Sequence, residues 1–162
     1  MKVISACFVN KLRLLCVSGL FCLLVSCASK DVMEVKQFHL RSIDVESMQQ
    51  APMVRGEQMH RMRGAVTIEE RRQRLGQYYS VSWKNDGSTT GPLKIVMDYQ
   101  QSATGSKVLT MSKDLPAGEE AGRVEFIISG ESYRTNGRVL AWRIRMMSGS
   151  KVISEKRSYM WK

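Results

Sequence analysis

Short apolar–polar alternations, each closed by turn residues, fill the second half of this chain and restrict its fold more than any other feature. Tyr79, Val81 and Trp83 alternate with Ser80 and Ser82 before Asn85-Asp86-Gly87. Leu93, Ile95, Met97 and Tyr99 alternate with Lys94 and Asp98, and Val108 to Met111 is a shorter run. Val124, Phe126 and Ile128 alternate between Arg123 and Ser129. After Asn136-Gly137, Leu140, Trp142, Ile144 and Met146 alternate with Ala141, Arg143 and Arg145. Ser148-Gly149-Ser150 has the composition of a hairpin connection, with Val152 to Trp161 as the returning strand. A period of two over four to eight residues is that of a strand with one buried face. The longer helical segments that a parallel α/β sheet requires are missing, so that class is disfavoured.

The remaining mature sequence is less regular. Val35 to Val45 (VKQFHLRSIDV) predicts an edge strand with Phe38 and Leu40 on one face, and Ser47 to Met62 reads as an irregular connection. Ala51-Pro52 favours an extended turn there. Thr67-Ile68-Glu69-Glu70 has the form of a capping box and predicts a short helix over 68–75, stopped by Gly76 in a left-handed end. Glu70 and Arg74 are spaced for an i,i+4 pair worth about 0.3 kcal/mol. Six strands plus the edge strand suggest two packed antiparallel sheets of six to seven strands. The pattern resembles an immunoglobulin-like or fibronectin-like sandwich in strand count and patterning. The Cys…Trp…Cys signature of true immunoglobulin domains is absent. An open single sheet or a small barrel is the other arrangement the pattern allows.

All four cysteines (Cys7, Cys16, Cys22 and Cys27) lie in the first 27 positions, and every Asp and Glu follows position 30. Lys2, Lys11 and Arg13 precede and open a twelve-residue, mostly apolar stretch from Leu14 to Val25. A membrane span needs roughly 20 apolar residues, so this length fits the apolar core of a secretory signal. Leu24-Val25-Ser26-Cys27 then resembles the lipobox of bacterial lipoproteins. The resemblance implies cleavage before Cys27 and acylation of that residue, with residues 1–26 as a removed signal peptide. Two or three acyl chains hold a protein stably, at about 0.8 kcal/mol per buried CH₂, where one chain does not. Ala28, in place of the Asp that retains such lipoproteins in the inner membrane, implies the outer membrane, with the domain facing the periplasm. Residues 27–34 form the lipidated Cys and tether, 35–76 an Arg/Met-rich segment with the short helix, and 77–162 the sandwich. The whole pattern resembles small β-sandwich lipoproteins of Gram-negative bacteria, a resemblance that carries no activity with it.

The chemical inventory is thin. Cys27 would be blocked by lipid, and only His39 and His60 are present, too few and too far apart for a zinc site. Ser148-Gly149-Ser150-Lys151 matches S-x-x-K, but its partner motifs are missing and its flanks are strand-like. Glu69-Glu70 is explained by the helix start, and Glu119-Glu120 lies in a Pro/Gly turn. The expectation is a non-enzymatic protein without cofactor or metal.

Charge has more pull. The formal balance of +10 becomes +7 when the signal leaves, because 22 cations then face 15 acids. Arg61, Arg63, Arg71, Arg72 and Arg74 are the candidate anion-binding residues, in a segment that also holds Arg55. A guanidinium fork suits phosphate and carboxylate. For an exported chain the polyanions at hand are lipid headgroups and envelope polymers, so nucleic acid is not the expected partner. Met48, Met53, Met59 and Met62 share the segment and could cover a sandwich edge or meet a partner. The leading functional expectation is a membrane-anchored lipoprotein that binds envelope proteins or supports an envelope assembly. The alternative is a basic binding module for anionic envelope polymers or lipid headgroups.

Overall fold

The computed structural model describes residues 31–44, 51–85, 87 and 91–162, of which Val32–Lys162 belong to one unit. The signal-like stretch and Cys27 lie outside the described residues, as does Met48. Alternation becomes seven strands: β1 (Met33–Leu40), β2 (Gly76–Lys84), β3 (Leu93–Gln101), β4 (Leu109–Asp114), β5 (Ala121–Ser129), β6 (Val139–Ser148) and β7 (Lys151–Arg157). They form one antiparallel sheet in the order β1-β2-β5 and a second in the order β4-β3-β6-β7. The order is that of an immunoglobulin-like sandwich whose fourth strand has joined the second sheet beside the third.

Between the sheets, Tyr79, Val81, Trp83, Phe126 and Ile128 meet Ile95, Met97, Ile144 and Met146, all buried. Each such side chain contributes roughly 1.5–3 kcal/mol through burial. β1 is the edge strand the sequence predicts, and it carries Phe38 and Leu40 on one face. It starts earlier than expected: Met33, inside the expected tether, has no exposed surface. It ends at Leu40.

β6 departs from its apparent phase. Leu140 is exposed, while Val139 and Ala141 are buried. The register against β3 shifts between Gln100 and Gln101, which pair with Ala141 and Val139 and leave Leu140 as the extra residue of a bulge. The bulge exchanges the two faces, so the apolar run from Leu140 to Met146 does not point one way throughout. The expected hairpin is present, with Gly149 at φ 57° between β6 and β7.

Three helices interrupt the strands. The first, α1 (Pro52–Met62), replaces the irregular connection expected there. Met, Arg, Glu and Gln are good helix formers, and Pro52 opens the helix where a missing N–H costs nothing. Its inward residues are Gln58 and Met62. The Gln58 amide donates to the carbonyls of Ser42 (3.3 Å) and Asp44 (2.9 Å), so a polar residue does the packing that periodicity would look for in an apolar one.

The second, α2 (Ile68–Arg74), starts with the predicted capping box. Thr67 Oγ1 accepts from the Glu70 amide at 3.2 Å, and Glu70 Oε2 accepts from the amides of Thr67 (2.9 Å) and Val66 (2.8 Å). Glu70 therefore serves the cap, and Arg74 instead donates from Nη1 to the Arg61 carbonyl at 3.1 Å. The helix ends on an extended Leu75, and Gly76 opens β2 rather than forming a left-handed helix end. The third, α3 (Gly130–Asn136), links β5 to β6 and is bounded by Gly130 and Gly137, both at positive φ. Its sequence, GESYRTN, has no apolar period to announce it.

Candidate functional site

Strict alternation would leave Tyr78, Ser80 and Ser82 on a solvent face of the first sheet. Tyr78 is nevertheless buried, because α1 lies across that face and packs Met62 against Tyr78 and Leu40, with Phe38, Ile43 and Leu75 around them. Arg61 locks this arrangement. Its Nε donates to Glu57 Oε1 at 2.8 Å, its Nη2 pairs with Glu125 Oε1 on β5 at 2.5 Å, and its Cζ lies 4.3 Å from the Tyr78 ring centre. Tyr78 in turn donates its hydroxyl proton to the Arg74 carbonyl at 2.5 Å. Burial works against the charge on Arg61, but hydrogen bonds and attraction from Glu125 and Glu57 outweigh it and raise its pKa. A cation over a ring adds about 0.5–2 kcal/mol.

Beside this lock, α1 and the sheet enclose an open groove of about 590 Å³. Phe38, Tyr78 and Ser80 come from the sheet, Met53 and His60 from α1, and Lys36 and Arg123 from the two outer strands. Met53 is 88% exposed. A smaller hollow of about 250 Å³ is lined by His60, Arg61, Arg74, Tyr78, Ile127 and Ser129. Apolar and cationic side chains thus share one concave surface, while the two acids lining it, Glu57 and Glu125, are both engaged by Arg61.

The candidate arginines are held in different ways. Arg61 is tied down, with only 13% of its side chain exposed. Arg74 joins it through the backbone, and Arg71 Nε donates to the Ala65 carbonyl at 3.3 Å. Arg72 lies 3.9 Å from Glu69, and Arg63 follows α1 as its exposed cap residue. Arg61 therefore clamps α1 to the sheet, whereas Arg63, Arg71, Arg72 and Arg74 occupy exposed positions. Met62 is core, whereas Met59 and Met53 remain exposed. His60 lines both hollows; His39 lies at the end of β1. Among the described residues no group of three or more His, Cys, Asp or Glu is placed to hold a metal ion. Ser148 and Lys151 flank the β6–β7 turn and pair with each other across the hairpin.

Sequence reasoning missed a second polar centre, on the outer face of the other sheet. Asp98 is 4% exposed. Its Oδ2 accepts from Arg143 (3.0 and 3.3 Å) and Arg145 (2.7 Å), and its Oδ1 accepts from Thr110 at 2.9 Å. Trp161 covers Arg143, 5.0 Å from its Cζ. Asp98 pairs in register with Thr110 and with Arg143, so one acid among arginines at alternate positions of β6 was the available signal.

Burial raises the Asp98 pKa, but the bonds from Thr110, Arg143 and Arg145 outweigh it and leave the carboxyl below its ordinary value. A carboxyl with a depressed folded pKa stabilises the fold above its unfolded value of about 3.9, and that contribution is lost as pH falls through the folded value. Asp98→Asn should cost about 1–3 kcal/mol near neutrality. It should also flatten the loss of stability below about pH 4, as read by urea denaturation across an acid series. An unchanged acid limb would show that Asp98 is not a linked group.

Among the described residues no helix is long and apolar enough to cross a membrane. No protein-family model, curated protein or solved structure matches the chain.

Proposed function

We propose that the chain is a lipoprotein anchored through Cys27 in the outer membrane, facing the periplasm, whose sandwich is a non-enzymatic module that binds another envelope protein. The anchor rests on the lipobox resemblance at Leu24-Val25-Ser26-Cys27. The binding half rests on one observation, the groove between α1 and the first sheet, where Met53, Phe38 and Tyr78 sit beside Lys36 and Arg123. Concave surfaces that combine apolar contact with a few charged groups are what binding sites use.

The chain between the proposed anchor and the sandwich is short. Six residue steps separate Cys27 from Met33, at most about 20 Å of chain. The start of β1 pairs with the end of β2, and the Asn85 amide donates to the Glu120 carbonyl at 2.6 Å. The β4–β5 turn and the β6–β7 hairpin lie at the end of the sandwich where β1 begins. α2 and α3 lie at the other end, where Gly76 pairs with Leu40 and Ser129.

Affinity purification of the lipidated protein from solubilised envelopes tests the proposal. One or a few proteins should co-purify with the native chain and be lost with Met53→Glu and Arg123→Glu. Retention of the same proteins by both variants would remove the groove from the account.

A further inference from the structure

At the end of the sandwich that carries α2 and α3, three side chains from separate parts of the chain meet and a fourth adds its charge to theirs. His39 lies near the end of β1, Arg41 just beyond it, Tyr133 on α3, and Arg138 just before β6. His39 Nε2 is 2.7 Å from Tyr133 Oη, with the two rings edge-on at 5.7 Å, and Arg41 Nε donates to His39 Nδ1 at 3.0 Å. A guanidinium can only donate, so Nδ1 is the acceptor. The neutral imidazole must then carry its proton on Nε2 and donate it to the Tyr133 oxygen, which leaves the tyrosine O–H free to donate elsewhere. Partial burial, then the charges of Arg41 and Arg138, hold the His39 pKa below its ordinary value.

Two positive charges are thus held close to one neutral histidine. Among the described residues neither Arg41 nor Arg138 has a carboxylate within 4.0 Å, whereas Arg61 and Arg134 each have two and Arg143 and Arg145 share Asp98. Both arginines are exposed, and His39 and Tyr133 are half-buried. Guanidinium forks with no carboxylate partner among the described residues, beside a hydroxyl donor, suit an oxyanion.

We propose that Arg41, His39, Tyr133 and Arg138 form a binding site for a phosphate group. The donors belong to the end of β1, to α3 and to the segment just before β6, and Tyr133 and Arg41 engage opposite ring nitrogens of His39. A tetrahedral phosphate offers oxygens in those several directions, while a carboxylate offers two in one plane. A bound phosphate draws Arg41 off Nδ1 and offsets the repulsion between the arginines and His39, which frees Nδ1 to take a proton and donate to the anion. The titratable and charged neighbours of that imidazole are Arg41, Arg138 and Tyr133. Neither acylation of Cys27 nor occupation of the groove is required.

The test is an imidazole NMR titration of the full chain in neutral detergent micelles, with inorganic phosphate against chloride at matched ionic strength. Phosphate should shift the His39 and Tyr133 signals saturably and raise the His39 pKa. Arg41→Gln with Arg138→Gln should weaken binding by about tenfold or more, and Lys113→Gln with Lys151→Gln, at the opposite end, should not. A second arm replaces free phosphate with phosphatidic acid in the micelle. A matching response there assigns the phosphate to a lipid headgroup, and a response to free phosphate alone assigns it to a soluble ester. Equal effects of phosphate and chloride, or undiminished binding by the double arginine variant with its fold intact, would overturn the site.

Discussion

Cys27→Ala should abolish fatty-acid labelling and move the protein out of its membrane fraction. The expected effect is close to complete, because the thiol is the only atom in the lipobox-like sequence that can take a diacylglyceryl group as a thioether. Loss of two or three acyl chains removes about 0.8 kcal/mol for every buried CH₂, far more than the remaining positive charge of the domain supplies. Metabolic labelling with a fatty acid, followed by fractionation, reads both outcomes. Persistent labelling in the variant would place the acyl group elsewhere and dissolve the anchor. Every other cysteine lies upstream of Cys27, so the sequence from Ala28 onward offers no second thiol.

Gly76→Ala should be the most damaging single change in the sandwich itself. A methyl group at this position would meet the Ile128 carbonyl oxygen and stand 2.7 Å from Ser129 Cα and 2.8 Å from Ser129 Cβ. Those are mainly backbone atoms of β5, the strand that pairs with Gly76, so no rotamer change relieves the overlap. The junction also holds the hydrogen bond from the Gly130 amide to the Leu75 carbonyl (3.3 Å), which ties α3 to the end of α2. Overpacking of this kind costs roughly 3 kcal/mol, or about 10 °C in Tm for a domain of this size. Gly149→Asn is the matched control, since Gly149 has nothing within 4 Å of an added Cβ and Asn tolerates positive φ. Urea denaturation of both variants checks the contrast, and near-native stability of Gly76→Ala would contradict it.

The sandwich was legible where burial is one-sided. Along Tyr79–Trp83, Ile95–Tyr99 and Val124–Ile128 the inward residues are the apolar ones, and a period of two finds them. Legibility failed where something covered the outer face. Tyr78 and Asp98 both occupy outward positions, yet one lies under α1 and the other among Arg143, Arg145 and Thr110. α1 itself was hidden because its contact with the rest of the fold uses a glutamine amide on two carbonyls. Leu140 misled because a bulge is a property of two paired strands, and one strand's sequence does not contain it.

The groove was legible only as a concentration of Arg and Met. Reading Arg61 correctly required Glu125, which arrives from β5 through the pairing of the sheet. Once that carboxylate is in place, Arg61 is a clamp, and the exposed cations that line the groove are Lys36 and Arg123, with Met53 beside them. His39 looked isolated for the same reason. Tyr133 and Arg138 reach it from the far side of the β5–β6 connection, and nothing in the spacing of the histidines foretells them.

The central claim is that the groove face of an anchored domain meets another envelope protein. Photo-crosslinking in intact cells, with the reactive group at Met53 and a control at Val152 on the opposite sheet, tests it most directly. The account predicts a discrete crosslinked species from Met53 that is absent from Val152 and disappears with Arg123→Glu. The same pattern from both positions, or no crosslink from Met53 in correctly localised protein, would contradict it.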